Sequence, residues 1–192
     1  MGFCCGHAKM ERMKVSKRKD QICSTEKKWF AVYTRYRAEK YVCDKLTKKG
    51  IENYVPLLKY TRVYTRKKKQ VELPLISCYI FVYITKDEYL KVLQTENVIS
   101  FLKIGGTMIS IPEKEIDIMK WVVGEEIVDK VHNGPLQKGN KVEVVSGNLT
   151  GIKGTVIKRK SKKYVQVSLE SLGYTLDLNI SEDMLQKVHS LV

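Results

Sequence analysis

Between residues 138 and 156 the chain reads KGNKVEVVSGNLTGIKGTV, and this spacing of glycines and valines argues against a continuous helix. Within residues 141–145, Val142 and Val144 share one face while Glu143 and Val145 share the other, the two-residue period of a strand. Gly147, Gly151 and Gly154 follow at three- and four-residue spacing, where positive φ or close backbone approach carries no Cβ penalty. Each would cost a helix about 1 kcal/mol relative to alanine. A second strand is expected over residues 155–158. Beyond it Val165, Val167 and Leu169 alternate, as do Leu176 and Leu178. These periods predict a β unit over residues 137–192, at the least a hairpin in a small barrel.

A chain of 192 residues, 43% of them hydrophobic, has room for a second core beside such a barrel, so two domains are expected. The formal net charge of +14 favours contact with phosphate polymers. An anionic membrane surface is the competing partner, but no apolar run approaches the roughly 18 residues of a membrane span. The expectation is a soluble, monomeric protein without a membrane role. Cys4, Cys5, Cys23, Cys43 and Cys78 make an odd set without a CxxC pair, which indicates neither a disulfide framework nor a zinc site. A reducing, cytoplasmic setting fits best. Adjacent Cys4 and Cys5 are poorly spaced to share a metal with His7. Gly6 stands where a myristoylation start needs Ser or Thr, and the start lacks the apolar core of a secretory signal.

Residues 1–28 are rich in Lys and Arg without a hydrophobic period and read as a mobile basic arm. From Trp29 the run WFAVYT is aromatic and β-branched, as in a strand buried on both faces. Ala38, Tyr41, Val42 and Leu46 then recur at helical spacing, and Gly50 stands where a C-cap belongs. Residues 51–58 and 73–84 read as the second and third strands. The cationic connection between them, residues 59–70, carries Arg62, Arg66, Lys67, Lys68 and Lys69 and is expected to project as a hairpin tip. Thr85 and Glu88 have the form of a capping box opening a short helix with Tyr89, Leu90, Val92 and Leu93. Residues 98–104 make the fourth strand, turned by Gly105 and Gly106 into residues 108–111. A last helix places Ile116, Met119 and Val123 on its buried side. Strand, helix, strand, strand, helix, strand is the split βαβ plan, predicting an α+β domain over residues 29–124. Residues 125–136, ending in Gly134 and Pro135, read as a linker.

The glycine-valine order of residues 138–156 resembles the KOW motif, which with the alternation beyond it implies a five-stranded SH3-like β-barrel over residues 137–192, and the pair of domains resembles the NusG family of transcription elongation factors, whose N-terminal unit is the NGN domain. WFAVYTR, KKGIENYVPL, VELPLISCYIFV and ISIPEKEIDIM carry the resemblance over about residues 29–188. PLISCYIFV and the lysine-rich hairpin are closer to the specialised antiterminators of the RfaH and UpxY type than to the housekeeping member. One departure stands out: the family usually has Phe-Pro-Gly or Phe-Pro-Asn where this chain has Ile76, Ser77 and Cys78.

The resemblance implies a factor that binds the clamp region of RNA polymerase and promotes processivity or antitermination, for instance of a surface-polysaccharide operon. It implies polymerase contacts at Tyr33, Tyr79, Phe81 and Ile104, and contact with non-template DNA at Arg35 and Arg37. The hairpin cations are expected to add salt-dependent contacts to DNA or nascent RNA. Leu149 and Ile152 match the family's contact loop for a ribosomal protein or termination factor, presented by a barrel that the expectation leaves free of the first domain. Filling the domain core is the competing role for the four apolar positions.

No catalytic constellation emerges. His7, His132 and His189 lie in the arm, the linker and the tail, and no serine or cysteine stands beside one in a nucleophile motif. Gly105 and Gly106 lack the rest of a phosphate loop. The sequence therefore reads as a binding protein without cofactor or metal. The alternative is a KOW-type RNA-binding or ribosome-associated protein that does not act on polymerase.

Overall fold

The computed structural model describes residues 20–64, 67–124, 128–133, 139–145, 150–159, 162–180 and 184–187. Arg66, Leu149 and the Cys4, Cys5 and His7 group lie outside them, as does most of the expected arm.

The first strand, β1 (Lys28–Thr34), is buried along nearly its whole length, as its apolar run requires. Helix α1 (Glu39–Lys48) follows and ends at Gly50, whose φ of 72° lets the Ile51 N–H reach the Leu46 carbonyl at 3.0 Å. Strands β2 (Glu52–Tyr54), β3 (Leu57–Tyr64), β4 (Lys67–Pro74) and β5 (Tyr79–Ile84) come next. The expected second and third strands are thus each divided. Their outer parts, with most of the expected tip, form a separate two-stranded ribbon, β3–β4, running from Leu57 opposite Pro74 to Tyr64 opposite Lys67. Thr61, Val63 and Tyr64 give this cationic stretch a strand preference that its charge hides.

After a 3-10 turn (Lys86–Glu88), where the Glu88 carboxylate accepts the Thr85 N–H at 3.1 Å, comes α2 (Tyr89–Leu93). Then follow β6 (Val98–Phe101), β7 (Lys103–Ile104), β8 (Thr107–Met108), β9 (Ser110–Ile111) and α3 (Glu113–Gly124). The main sheet has the order β2-β5-β1-β6, with β9 also pairing β1. Phe30, Val32, Ile80, Val82 and Ile84 pack one sheet face against Val42 and Leu46 of α1 and Val92 of α2. Trp29, Ala31 and Phe81 pack the other against Ile116, Met119 and Val122 of α3.

The C-terminal part is β10 (Val128–Asn133), β11 (Asn140–Val144), β12 (Lys153–Arg159), β13 (Lys162–Leu169), β14 (Tyr174–Leu178) and β15 (Leu185–Lys187). They form one antiparallel sheet in the order β10-β14-β13-β12-β11-β15. The α+β class with an SH3-like second unit is as the sequence and its resemblance imply. At Gly154 a Cβ would stand 2.7 Å from the Gln166 carbonyl oxygen, so this glycine of the motif serves close strand approach.

Two boundaries differ from expectation. Residues 125–136 contain β10, so the linker expectation gives way to a sixth strand. A register shift between Val128 and Lys130 sets its two apolar residues, Val128 and Val131, three positions apart, and no two-residue period is visible. The described end of the expected arm is also tied down. The Gln21 N–H donates to the Met108 carbonyl at 3.1 Å, the Asp20 carboxylate accepts the Met108 N–H at 2.8 Å, and Ile22 packs beside the α1 side of the core.

Candidate functional site

Antiparallel pairing sets Tyr33 of β1 opposite Tyr79 of β5, with ring centroids 5.4 Å apart and planes at 60°. Both are half-buried. Burial pushes the Tyr79 phenol above its ordinary range, and Tyr174 and Tyr33 add to the rise. Phe81, two residues along the same face, is fully buried among Trp29, Ala31 and α3. In this arrangement it is core rather than a surface anchor, and truncating such a residue costs about 3–5 kcal/mol. A Tyr79, Phe81 double alanine variant would therefore be badly destabilised. Ile104 is half-buried in the β7–β8 ribbon, outside the sheet that carries the tyrosines.

The turn leading into Tyr79 holds Cys78 at φ 68°, a left-handed conformation that glycine and asparagine tolerate better than cysteine. Its N–H donates to Oε1 of the buried Glu39 at 2.8 Å, and its carbonyl accepts the Thr34 N–H at 2.8 Å. The Ile-Ser-Cys stretch, standing where the resemblance implies Phe-Pro-Gly or Phe-Pro-Asn, thus turns through a left-handed Cys78.

The second unit packs on this face. Tyr174 of β14 meets Tyr79 edge-on, centroids 6.4 Å apart. Glu115 of α3 accepts the Ser171 N–H at 3.1 Å and the Ser171 Oγ–H at 3.0 Å through Oε1, while Oε2 is buried without a hydrogen bond. Burial pushes the Glu115 carboxyl up; the Ser171 hydrogen bonds oppose this and nearby Glu170 adds to it. Lys114 Nζ reaches the Gly151 carbonyl at 3.5 Å. Ile152, expected to be presented at a free loop, is 7% exposed and belongs to the apolar cluster that runs from the first sheet into the second. The expected open arrangement is replaced by a closed one. Glu115 and Ser171 carry no sequence signal of their own, because their partnership exists only across 56 residues of chain.

The basic groups lie apart from this contact. Arg35 and Arg37 are exposed at the end of β1 and flank Tyr36, which is 68% exposed. The Arg37 guanidinium carbon stands 5.1 Å from the Tyr36 ring centre. Tyr36 was legible as an aromatic between two arginines, yet periodicity passes over it. In the ribbon, Arg62 pairs with Lys69, Val63 with Lys68 and Tyr64 with Lys67. At its base Lys40 of α1 binds Glu72 at 2.6 Å and holds that carboxyl below its ordinary range.

Among the described residues no group of His, Cys, Asp and Glu is placed to hold a metal, and no helix is long and apolar enough to cross a membrane. Residues 27–120 match the family described as "Transcription termination factor nusG". No curated protein sequence matches. Of the solved structures, that described as "Domain interaction in Thermotoga maritima NusG" aligns with a TM-score of 0.53 at 19% identity, covering 86% of this chain and 99% of that one. It shows a shared fold. The structure described as "Crystal Structure of MjSpt4:Spt5 complex conformation B" aligns with a TM-score of 0.29 at 19% identity, over 84% of this chain and 97% of that one.

Proposed function

We propose that this chain, with its NusG-family domain at residues 27–120, is a transcription elongation factor that docks on RNA polymerase through the Tyr33 and Tyr79 edge of its first sheet. The observation that carries the reading is that pair. Two half-buried tyrosines stand together at the end of a sheet face, and Tyr174 of the second unit packs edge-on against one of them. Half-buried aromatics that can exchange one apolar partner for another are the material of interface anchors. Polymerase and the barrel then compete for Tyr79, so the closed form is the resting state and docking requires the barrel to leave.

Arg35, Arg37 and the β3–β4 cations supply the electrostatic contact with nucleic acid in the transcription complex. Once released, the barrel is free to offer Leu149 and Ile152 to a second partner, a ribosomal protein or termination factor. The resemblance of the PLISCYIFV stretch and the lysine-rich hairpin to the specialised antiterminators favours action on a long operon, such as a surface-polysaccharide locus, over a genome-wide role. Residues 29–124 are the polymerase-binding domain in this reading.

Tyr79→Ala tests it. The substitution leaves the fully buried core intact and is expected to weaken binding to a polymerase elongation complex at least tenfold, as loss of an aromatic hot spot does. Native affinity in a variant of unchanged thermal stability would assign the docking surface elsewhere.

A further inference from the structure

We propose that Glu39 is the positioning residue of the tyrosine pair: its buried carboxylate holds the turn that sets Tyr79 opposite Tyr33. The inference rests on the docking reading given above and adds a residue that acts through Tyr79 rather than by touching polymerase.

The inward stripe of α1 is Glu39, Val42 and Leu46, at the spacing of one helix face. Apolar side chains belong on such a stripe, and Val42 and Leu46 pack in the core. The first member is instead a carboxylic acid, only 4% exposed. A buried carboxylate is costly unless hydrogen bonds compensate it. Its place at the start of α1 helps, because the helix dipole attracts negative charge there and the N-cap, Ala38, supplies no side-chain bond. From that place the carboxylate reaches across 39 residues of chain to the Cys78 N–H, which donates to Oε1 at 2.8 Å. A bond from an amide to a carboxylate is stronger than one to a neutral acceptor.

Cys78 is the residue that needs holding. Its φ of 68° is left-handed, and Arg37 at 62° and Asn97 at 66° take the same form. All three lie around the end of β1. The Cys78 carbonyl accepts the Thr34 N–H at 2.8 Å, the Asn97 carbonyl accepts the Arg35 N–H at 2.9 Å, and Arg37 stands two residues before Glu39. Left-handed residues other than glycine persist where surrounding bonds over-determine them, and they gather at sites whose geometry matters. Here the bonds run in one chain, from Glu39 to Cys78 to Thr34. Tyr79 follows Cys78 and Tyr33 precedes Thr34, so this chain fixes the backbone next to both rings. The sheet alone does not. The β2 pairing of β5 covers Phe81, Val82 and Tyr83, whereas Tyr79 lies beyond it and is paired by Tyr33 of β1. With the carboxylate removed, the turn is free to leave its left-handed form and re-aim Tyr79, while the rest of β5 stays in register between β1 and β2.

The full chain, isotopically labelled on its tyrosine rings, is followed by NMR and titrated against a polymerase elongation complex. Glu39→Ala should shift the Tyr33 and Tyr79 ring signals and weaken polymerase binding roughly 5- to 30-fold, as loss of a hydrogen bond to a charged group does. Glu39→Gln keeps a carbonyl oxygen in place and should retain the wild-type ring signals and bind within about threefold of wild type. Glu39→Asp, one methylene short, should behave as the alanine variant does, and it serves in its place if Glu39→Ala does not fold. Added to Tyr79→Ala, Glu39→Ala should cost no further affinity, because it acts through the missing ring. A loss of equal size with and without the Tyr79 ring, unrelieved by glutamine, overturns the assignment in favour of a general structural role. Unmoved ring signals and native affinity in a folded Glu39→Ala protein also overturn it, and leave docking standing where Tyr79→Ala still binds weakly. Native affinity of Tyr79→Ala, with ring signals that Glu39→Ala still moves, overturns the docking reading while the positioning of the rings stands.

Discussion

Ser171→Ala should release the barrel from the first domain. Ser171 gives Glu115 two hydrogen bonds, from N–H at 3.1 Å and from Oγ–H at 3.0 Å, and the substitution deletes only the second. A hydrogen bond to a charged partner is worth roughly 1.5–3 kcal/mol. Ser171 is only partly buried and its backbone N–H remains to serve the same oxygen, so we take about 1–2 kcal/mol. That is a shift of roughly 5- to 30-fold in the ratio of closed to open protein. Where the closed form dominates, the apparent affinity for polymerase is the intrinsic affinity scaled by the open fraction, so binding should tighten by the same factor. Two assays read it: fluorescence anisotropy of the labelled chain with polymerase, and amide shifts of residues near Tyr79 and Glu115, which should move toward an open form. A folded Ser171→Ala protein with unchanged shifts and unchanged affinity would show that this contact does not hold the units together. Weaker polymerase binding would contradict the proposed competition outright.

The same carboxylate makes closure pH-dependent. The Glu115 carboxyl is raised in the closed form, chiefly by burial, so its contribution to closure is fully present below the free value of 4.5 and is lost as pH rises through the raised one. Amide shifts followed as pH rises from 4.5 should therefore report progressive opening, and Glu115→Gln should remove the trend. At the strained turn, Cys78→Gly or Cys78→Asn should raise the thermal midpoint, because a left-handed non-glycine residue costs about 1–2 kcal/mol, of which glycine returns part to the unfolded chain. An unchanged or lower midpoint for both would mean that the Cys78 side chain contributes packing that outweighs its strain.

Much of the fold was legible in the residues alone, and for local reasons. The WFAVYT run, the Val42 and Leu46 spacing with Gly50 behind it, and the alternation of Val165, Val167 and Leu169 each encode one element within a few residues. Elements follow from such local periods because side-chain direction repeats every two or 3.6 residues. The hairpin follows from the sequence, but its strand character and β10 do not: charge masks the strand preference of residues 59–70, and a bulge breaks the period at residues 128–133.

The candidate site divides in the same way. That Tyr79 and Phe81 share a face follows from alternation; that one is half-exposed and the other fully buried does not, because burial depends on what the rest of the chain lays over each. The hairpin's charge is in the sequence, but which of its residues stand opposite one another is a matter of register, which pairing alone fixes. Closure of the barrel over Tyr79 was least legible of all. The periodicity that specifies the barrel is satisfied equally whether it is free or docked. Docking is decided by an apolar face, a ring contact between Tyr79 and Tyr174, and one carboxylate meeting one serine, pairs far apart in the chain whose energies arise only once both units are folded.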